Sequence, residues 1–221
     1  MSGRHLLVKI CGLSGPGDLE AAEGADMVGV VINVPHSPRN RSWVEAKEIF
    51  RAASGRFVPV AVLVDPSVDS VERALKETGA EFVQVHGKLP DGLAQKHLTR
   101  VIPSLGLPRE RTDGRPAAPP ETAGLEDFPF VHLDSASDGA MGGTGQAPDR
   151  RLVRLLVENH PEIKFLLGGG LTPLNVVSAL RDVCPAGVDV SSGVESSPGV
   201  KSPKKMSLFI QAVRKWEARH A

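Results

Sequence analysis

The sequence lacks the features that are typical of membrane proteins, nucleic-acid-binding proteins and exported proteins. Lys and Arg total 26 and Asp and Glu total 26, so the formal net charge is zero and indicates no polyanionic partner. No apolar run approaches the roughly 18 residues needed to cross a bilayer. The first residues, MSGRHLLVKICG, lack the long apolar segment of a signal peptide. We therefore expect a cytoplasmic protein that binds neither nucleic acid nor membrane.

Cysteine is scarce as well. Cys11 and Cys184 are the two cysteines, and a pair so far apart does not make a disulfide framework. The seven histidines are scattered and, with the cysteines, show no zinc-ligand spacing. No metal site is predicted. Cys184 is interpreted as structural, whereas Cys11 raises a question, because it ends an apolar segment that also contains a lysine.

Short apolar runs rich in valine and isoleucine recur along the whole chain and alternate with helical patterns. Strands are predicted at 6–10, 26–32, 57–64, 81–85, 99–102, 129–133, 163–167 and 187–190. Helical spacing of apolar residues marks PGDLEAAEG, SWVEAKEIFRAA, SVDSVERALKETG, PDRRLVRLLVENH, TPLNVVSALRDV and the C-terminal SPKKMSLFIQAVRKWEARH. Eight such units predict an α/β protein, a single-domain (β/α)8 TIM barrel over residues 1–221.

The fifth βα unit is predicted to be irregular. Residues 103–120 are rich in proline and glycine, so they are interpreted as a loop, with at most a short helix near 120–127.

Alternation within the strands predicts which side chains enter the barrel, because successive residues face opposite sides of a sheet. We expect the valine-rich face of each strand to pack on the helices. In the third strand this places Val60 and Val62 outside. The opposite faces carry polar residues near the strand ends, and the C-terminal mouth is where such barrels hold their active sites. Those polar residues are Lys9, Cys11, Gln84, His86, His132, Asp134 and Asp189.

Two glycine- and serine-rich loops predict a phosphate site. Gly169 and Gly170 follow the seventh strand, and Ser191, Ser192 and Gly193 follow the eighth. These are the loops with which barrel enzymes commonly hold phosphate, together with a short extra helix, here expected over 193–196. The alternative is a pair of tight turns with a serine cap.

These motifs resemble one family in their order along the chain. The matching pieces are KICGL (9–13), GADMVGVVI (24–32), SPRN (37–40), VQVHG (83–87), LDS (133–135), GGTG (142–145), GGGL (168–171) and GVDVSSGVESSPGVK (187–201). The chain resembles the phosphoribosylanthranilate isomerases of tryptophan biosynthesis. The resemblance implies a cofactor-free Amadori rearrangement of a small phosphosugar–anthranilate conjugate, carried out by a monomer or homodimer.

The resemblance also implies roles for individual residues. Cys11 matches the general base of the family, Asp134 its general acid and Arg39 the arginine that contacts the anthranilate portion. The loops at 169–170 and 191–193 match its phosphate site. Gln84 and His86 are predicted to line the substrate pocket.

The lysine beside Cys11 suggests how a thiol could act as a base. A thiol has a pKa near 8.5, and a neighbouring cation lowers that pKa. Lys9 lies on the same strand face as Cys11, and the first and last strands of a closed barrel are neighbours. We therefore hypothesise that Lys9 pairs with Asp189 across this seam, below the reacting groups.

Three alternatives remain open at this point. The related histidine-pathway isomerase generally uses two aspartates, where this chain offers Cys11 and Asp134. A metal-dependent epimerase would need converging ligands, for which His86, His132 and Asp65 are conceivable, although His132 is interpreted as a core histidine. A non-catalytic phosphosugar-binding protein would keep the phosphate loops and need no acid–base pair.

Overall fold

A computed structural model describes residues 5–108, 118–135 and 147–220. Eight parallel strands form its barrel, and each begins and ends within a few residues of the sequence prediction except at the fifth. They are β1 (Leu7–Ile10), β2 (Met27–Ile32), β3 (Val58–Val64), β4 (Phe82–His86), β5 (Val101–Leu107), β6 (Val131–Ser135), β7 (Phe165–Leu167) and β8 (Gly187–Val190).

The strands pair in chain order, and the barrel closes where β1 pairs with both β2 and β8. At this closing seam Lys9 lies opposite Asp189 and Ile10 opposite Val190. The predicted (β/α)8 barrel is therefore confirmed.

Helices cover the outside of the barrel. They are α1 (Trp43–Ala53), α2 (Val68–Glu77), the single turn α3 (Gln95–Leu98), α4 (Arg150–Asn159), α5 (Val176–Val183) and α6 (Pro203–His220). Their starts follow the expected capping chemistry. Ser42 and Glu45 form a reciprocal capping box at α1, Ser67 caps α2 and Asp149 caps α4. Among the described residues, no helix combines the length and apolar character that a membrane crossing requires.

The predicted helix in PGDLEAAEG is wrong. The segment forms one 3-10 turn, Pro16–Asp18, followed by turns as far as Gly24. Its apolar anchors are Leu19 and Ala22, both buried. So short a segment, with Gly17 inside it, gains too little from burial to support a regular helix.

The fifth strand is longer than predicted. It continues through Pro103 to Leu107, and Ser104–Leu107 pairs in register with His132–Ser135 of β6. Burial of Leu107 holds this part of the chain in the sheet although proline and glycine weaken it locally. A 3-10 turn, Leu125–Asp127, occupies the stretch where a short helix was expected. Residues 109–117 lie outside the described residues, so the predicted irregularity of this unit stays a prediction.

The inward faces were predicted correctly for β1, β4, β6 and β8 and wrongly for β3. Val62 pairs with Gln84 and Val60 with Phe82, and paired residues of neighbouring strands share a face. Val60 and Val62 thus point into the barrel, and the outward Ala61 and Leu63 pack against the helices. Both faces of β3 are apolar, so alternation carried no information about its orientation.

The lower part of the barrel interior is apolar and the middle is polar. Met27, Val60, Ile102 and Leu166 fill the bottom together with aromatic residues at its rim. Above them lies a layer of polar side chains contributed by five strands, namely the buried Lys9, Gln84, His132 and Asp189 and the half-buried Ser104. The fold thus places polar groups directly beneath the C-terminal mouth.

A charged cluster attaches α6 to the start of the barrel. Arg214 donates hydrogen bonds to the backbone oxygens of Leu6 and Gly24 and to the carboxylates of Asp26 and Glu217. Asp26 also accepts from the amide of Val8, at 2.7 Å. One guanidinium therefore joins the last helix, the first strand and the loop before β2.

We expect Arg214→Met to lower the free energy of unfolding by about 2–4 kcal/mol, because two partly buried carboxylates and two carbonyls lose their donor. Urea denaturation monitored by circular dichroism measures this change. Lys215→Met, at an exposed position of the same helix, is the control. A loss no larger than that of the control would show that the cluster does not hold the helix.

Candidate active site

A cavity of about 460 Å³ opens at the C-terminal ends of the strands. Every predicted site residue except Gln84 lines it: Cys11, Arg39, His86, Asp134, Gly169, Gly170, Ser191, Ser192 and Gly193. These residues come from the ends of β1, β4 and β6 and from the loops after β2, β7 and β8. The fold thus brings together, at one mouth, side chains that are far apart in the sequence.

Cys11 follows the last residue of β1, and its backbone amide donates to Val190 O across the seam at 2.8 Å. The thiol packs against Gly29 of β2. A Cβ at Gly29 would lie 3.0 Å from Cys11 Sγ and 3.1 Å from Lys9 Nζ. Gly29 therefore provides the space in which the thiol and the ammonium lie side by side. The sequence signal for this role was the position of Gly29 inside the valine-rich run MVGVV, because a glycine inside a strand often marks a place where another group approaches the backbone closely.

The predicted ion pair between Lys9 and Asp189 is confirmed. Lys9 Nζ lies 2.9 Å from Asp189 Oδ1, and the two side chains are 0% and 7% exposed. Burial lowers the pKa of the Lys9 ammonium, but Asp189 and Cys11 together outweigh burial and hold this pKa above its usual value. Burial raises the pKa of Asp189, yet Lys9 and His132 together hold it well below its usual range. Both groups are therefore charged at neutral pH.

The pKa of Cys11 is raised, whereas the sequence-based hypothesis expected the neighbouring Lys9 to lower it. Burial raises the pKa of the thiol, and the charges of Lys9 and Lys201 oppose this effect without overcoming it. Asp189 adds to the rise, because its negative charge disfavours a thiolate. Without a ligand, Cys11 is therefore a neutral thiol at pH 7, with two cations nearby to stabilise its thiolate when the proton leaves.

A chain of polar side chains continues from Asp189 across the barrel. Asp189 Oδ2 lies 3.0 Å from His132 Nε2, although that nitrogen is not aligned for a hydrogen bond. His132 Nδ1 lies 3.0 Å from Ser104 Oγ. Gln84 Nε2 lies 3.4 Å from the same hydroxyl and 2.9 Å from His86 Nε2. The chain thus extends the polar floor of the cavity from β8 to β4.

The structure does not place Gln84 in the cavity wall, where the sequence predicted it. Gln84 is 0% exposed and lies outside the cavity wall, because it is two residues before the end of β4. It supports His86, the last residue of the same strand, which does line the cavity. Burial lowers the pKa of His86 to about 3, and the nearby His132 and Lys9 contribute to this shift. His86 is therefore a neutral imidazole in the cavity wall.

Asp134 lies near the end of β6, half-buried at the cavity wall. Its Oδ1 accepts a hydrogen bond from the amide of Ser135 at 2.7 Å. The motif GGTG (142–145), which follows Asp134 in the chain, lies outside the described residues.

Arg39, in the loop after β2, is held by the hairpin that follows β8. Its Nε and Nη2 donate to the two oxygens of Glu195 at 2.7 and 2.8 Å. Glu195 also accepts from Lys201 Nζ at 2.9 Å. Burial raises the pKa of Glu195, but Arg39 and Lys201 outweigh it and hold that pKa below its usual value. No local sequence pattern indicated this cluster, which joins residues 156 positions apart.

The two glycine-rich loops meet at the cavity as predicted, with a different local structure. Gly169 and Gly170 have φ angles of 75° and 61°, which favour glycine. A Cβ at Gly193 would lie 1.8 Å from Leu171 O, so only glycine allows the two loops to touch. The expected helix over 193–196 is wrong. Ser192–Val194 forms one 3-10 turn, and the chain continues as a hairpin of Glu195–Ser197 with Val200–Lys201.

No metal centre is indicated by the geometry. The described residues contain no group of three or more His, Cys, Asp or Glu side chains arranged to hold an ion. The metal ligands considered from the sequence, His86, His132 and Asp65, are therefore not brought together as a set. Asp65 accepts from the amide of Lys88 at 2.7 Å, which is the contact of a turn cap.

The fold and the cavity define a (β/α)8-barrel protein whose site lies at the C-terminal mouth. A model of the N-(5'-phosphoribosyl)anthranilate isomerase family matches residues 8–212. The isomerase of that name from Azorhizobium caulinodans is 38% identical over 215 residues, covering 96% of this chain and 92% of the relative. The chain belongs to the N-(5'-phosphoribosyl)anthranilate isomerase family, as the sequence motifs predicted.

Solved structures support the same assignment. A phosphoribosylanthranilate isomerase in complex with reduced 1-(o-carboxyphenylamino)-1-deoxyribulose 5-phosphate is 29% identical with a TM-score of 0.75, over 96% of this chain and 100% of the other. Monomers generated from the dimeric isomerase of Thermotoga maritima are 27% identical with a TM-score of 0.72, over the same shares of the two chains.

The raised pKa of Cys11 predicts slow alkylation at neutral pH. In a Cys184→Ala background, the rate with iodoacetamide should increase with pH and reach its midpoint above the roughly 8.5 of a free thiol. Adding Lys9→Met should move the midpoint higher, because a cation that stabilises the thiolate is lost. Mass spectrometry of the labelled protein gives the rates, and a model peptide thiol is the reference. A midpoint at or below that of the peptide would contradict this account.

Proposed function

We propose that this chain catalyses the Amadori rearrangement of N-(5'-phosphoribosyl)anthranilate to 1-(2-carboxyphenylamino)-1-deoxyribulose 5-phosphate, with Cys11 as base and Asp134 as acid. The observation that supports it best is that both residues line one cavity together with Arg39 and the loops at 169–170 and 191–193. The cavity is large enough for a single phosphosugar conjugate, and Arg39 and the glycine-rich loops supply a guanidinium and backbone amides to its wall. Family membership supplies the reaction; the assignment of roles is our proposal.

The acid acts first. Asp134 donates a proton to the furanose ring oxygen, and the bond from that oxygen to C1' breaks. The lone pair of the anthranilate nitrogen forms a Schiff base with C1' as the ring opens. A positioned carboxylic acid contributes about 10²–10⁴-fold to such a step. Asp134 stands at the cavity wall, with Oδ1 oriented by the Ser135 amide.

The base then removes the proton from C2'. The electrons of that C–H bond form a C1'–C2' double bond and neutralise the iminium nitrogen, and tautomerisation of the enol gives the ketose. Cys11 can do this only as a thiolate. Lys9 and Lys201 favour that form, and the buried pair of Lys9 with Asp189 keeps the ammonium charged and in place. Lys9 is therefore proposed to stabilise the thiolate during turnover.

The two ends of the substrate carry the remaining charges. Glu195 occupies two of the five N–H groups of Arg39, so the other guanidinium edge is left for the anthranilate carboxylate. Gly169, Gly170, Ser191, Ser192 and Gly193 are proposed to bind the 5'-phosphate through backbone amides and hydroxyls. His86 is proposed to be a neutral wall of the sugar pocket.

The wider setting follows from the same reaction. We propose a cytoplasmic enzyme of a single domain that needs no cofactor and binds neither nucleic acid nor membrane. A monomer or homodimer is proposed for its assembly; the related Thermotoga maritima protein is described as dimeric. Light scattering coupled to size-exclusion chromatography distinguishes the two states.

We expect Cys11→Ala and Asp134→Asn each to lower kcat/KM by about 10²–10⁴-fold, because each removes one proton-transfer group. The loss of phosphoribosylanthranilate fluorescence, measured without added metal, gives the rates. Cys184→Ala, at the exposed cysteine, is the control and should keep wild-type turnover. Unfolding curves establish that the variants are folded. Near-normal turnover by both site variants would contradict the proposed roles.

A further inference from the structure

Glu195, which lies behind Arg39, has no role in the chemistry described above, although it belongs to a cluster of buried charged groups. The side chains of Arg39, Glu195 and Lys201 are 11%, 4% and 0% exposed. They come from the loop after β2 and from the two strands of the hairpin that follows β8. Buried charges are costly unless they are paired and hydrogen-bonded, so this arrangement calls for a structural or functional reason.

Groups of this protein fill the hydrogen-bond acceptor positions of the Glu195 carboxylate. Oε1 accepts from Arg39 Nε and Lys201 Nζ, and Oε2 accepts from Arg39 Nη2 and the amide of Gly199, at 3.2 Å for the last contact. Two oxygens with about four lone-pair sites have no capacity left for a ligand. Glu195 therefore acts on the site only through the groups it holds.

The contacts of Glu195 fix the orientation of the guanidinium. Its side-on, two-point pairing with Nε and Nη2 leaves little rotational freedom for the planar fork. The Arg39 stem is confined as well, because a Cβ on Gly12 would lie 2.7 Å from its Cδ. The same virtual Cβ would lie 3.0 Å from Ser191 Oγ, so Arg39 and the loop after β8 converge at Gly12.

Lys201 connects the cluster to the loop after β8. Its Nζ donates to Ser191 O at 3.0 Å as well as to Glu195. One carboxylate between two cations leaves the cluster with a net positive charge, which an anionic ligand can complete. The guanidinium and the Ser191 loop are thus held at a set separation through one shared carboxylate.

We propose that Glu195 is the positioning residue for Arg39, and that it sets the distance between the arginine and the Ser191 loop so that a substrate with an anion at each end is recognised. This inference rests on the proposed function, because it takes Arg39 to be the carboxylate-binding group. Glu195 contacts neither the substrate nor the reacting atoms. Its effect should therefore appear in binding and not in the proton transfers.

The test is a double-variant cycle on the full chain with phosphoribosylanthranilate as the substrate. Glu195→Gln keeps the shape of the side chain and turns an amide NH2 toward its donors. We expect it to raise KM about tenfold or more while kcat changes less than about threefold, the pattern of an interaction made equally in ground and transition states. Arg39→Met should raise KM at least as much. The double variant should be no worse than Arg39→Met alone.

Controls separate positioning from general stability. Glu48→Gln removes an exposed carboxylate of α1 and should leave KM unchanged. Where Glu195→Gln does not fold, Glu195→Asp replaces it; the shorter acid keeps the charge but does not reach both Nε and Nη2, so KM should again rise with kcat preserved. A KM within twofold of wild type, equal losses in kcat and kcat/KM, or effects that multiply in the double variant would overturn the proposal. An inactive wild-type protein would instead overturn the proposed function.

Discussion

The site depends on a buried ion pair at the seam where the barrel closes. Lys9 and Asp189 face each other on paired strands, and their 2.9 Å contact offsets the cost of placing two charges in the interior. Without Asp189, the ammonium beneath Cys11 would be desolvated and unpaired. With it, a permanent positive charge lies beside the thiol, in space that Gly29 leaves open. The thiol at the end of the first strand therefore has a cation beside it that stabilises its thiolate when the proton leaves.

Above this floor, charged and amide-rich groups line the mouth. Asp134 stands at the wall on β6, and Arg39 and the glycine-rich loops flank the cavity. The Arg39 guanidinium is held from behind by Glu195, which Lys201 connects to the Ser191 loop. The chemistry that we propose then needs little from the protein beyond one acid, one base and two anion sites, which is consistent with a reaction that the family resemblance indicates to be cofactor-free.

Sequence reasoning found the parts of the site that local patterns encode. Alternation placed Lys9 and Asp189 on inward faces, and barrel topology made them neighbours across the seam. Sequence reasoning failed for β3, because both faces of this strand are apolar and alternation does not show which face points inward. The pairing of Val62 with Gln84 shows its orientation. Alternation also does not show how deep in the barrel a residue lies, which is why Gln84 was expected in the cavity. The Arg39–Glu195 contact spans 156 positions, and only the folded chain brings its partners together.

The central claim is that the Cys11 thiol and the Asp134 carboxyl act on one sugar from two sides. A crystal structure of this protein with reduced 1-(o-carboxyphenylamino)-1-deoxyribulose 5-phosphate tests it most directly. The account predicts that both groups lie within about 4 Å of the ribulose chain on opposite sides, allowing for the looser contacts of a stable analogue. An analogue bound in the cavity with either group out of reach of the sugar would contradict it.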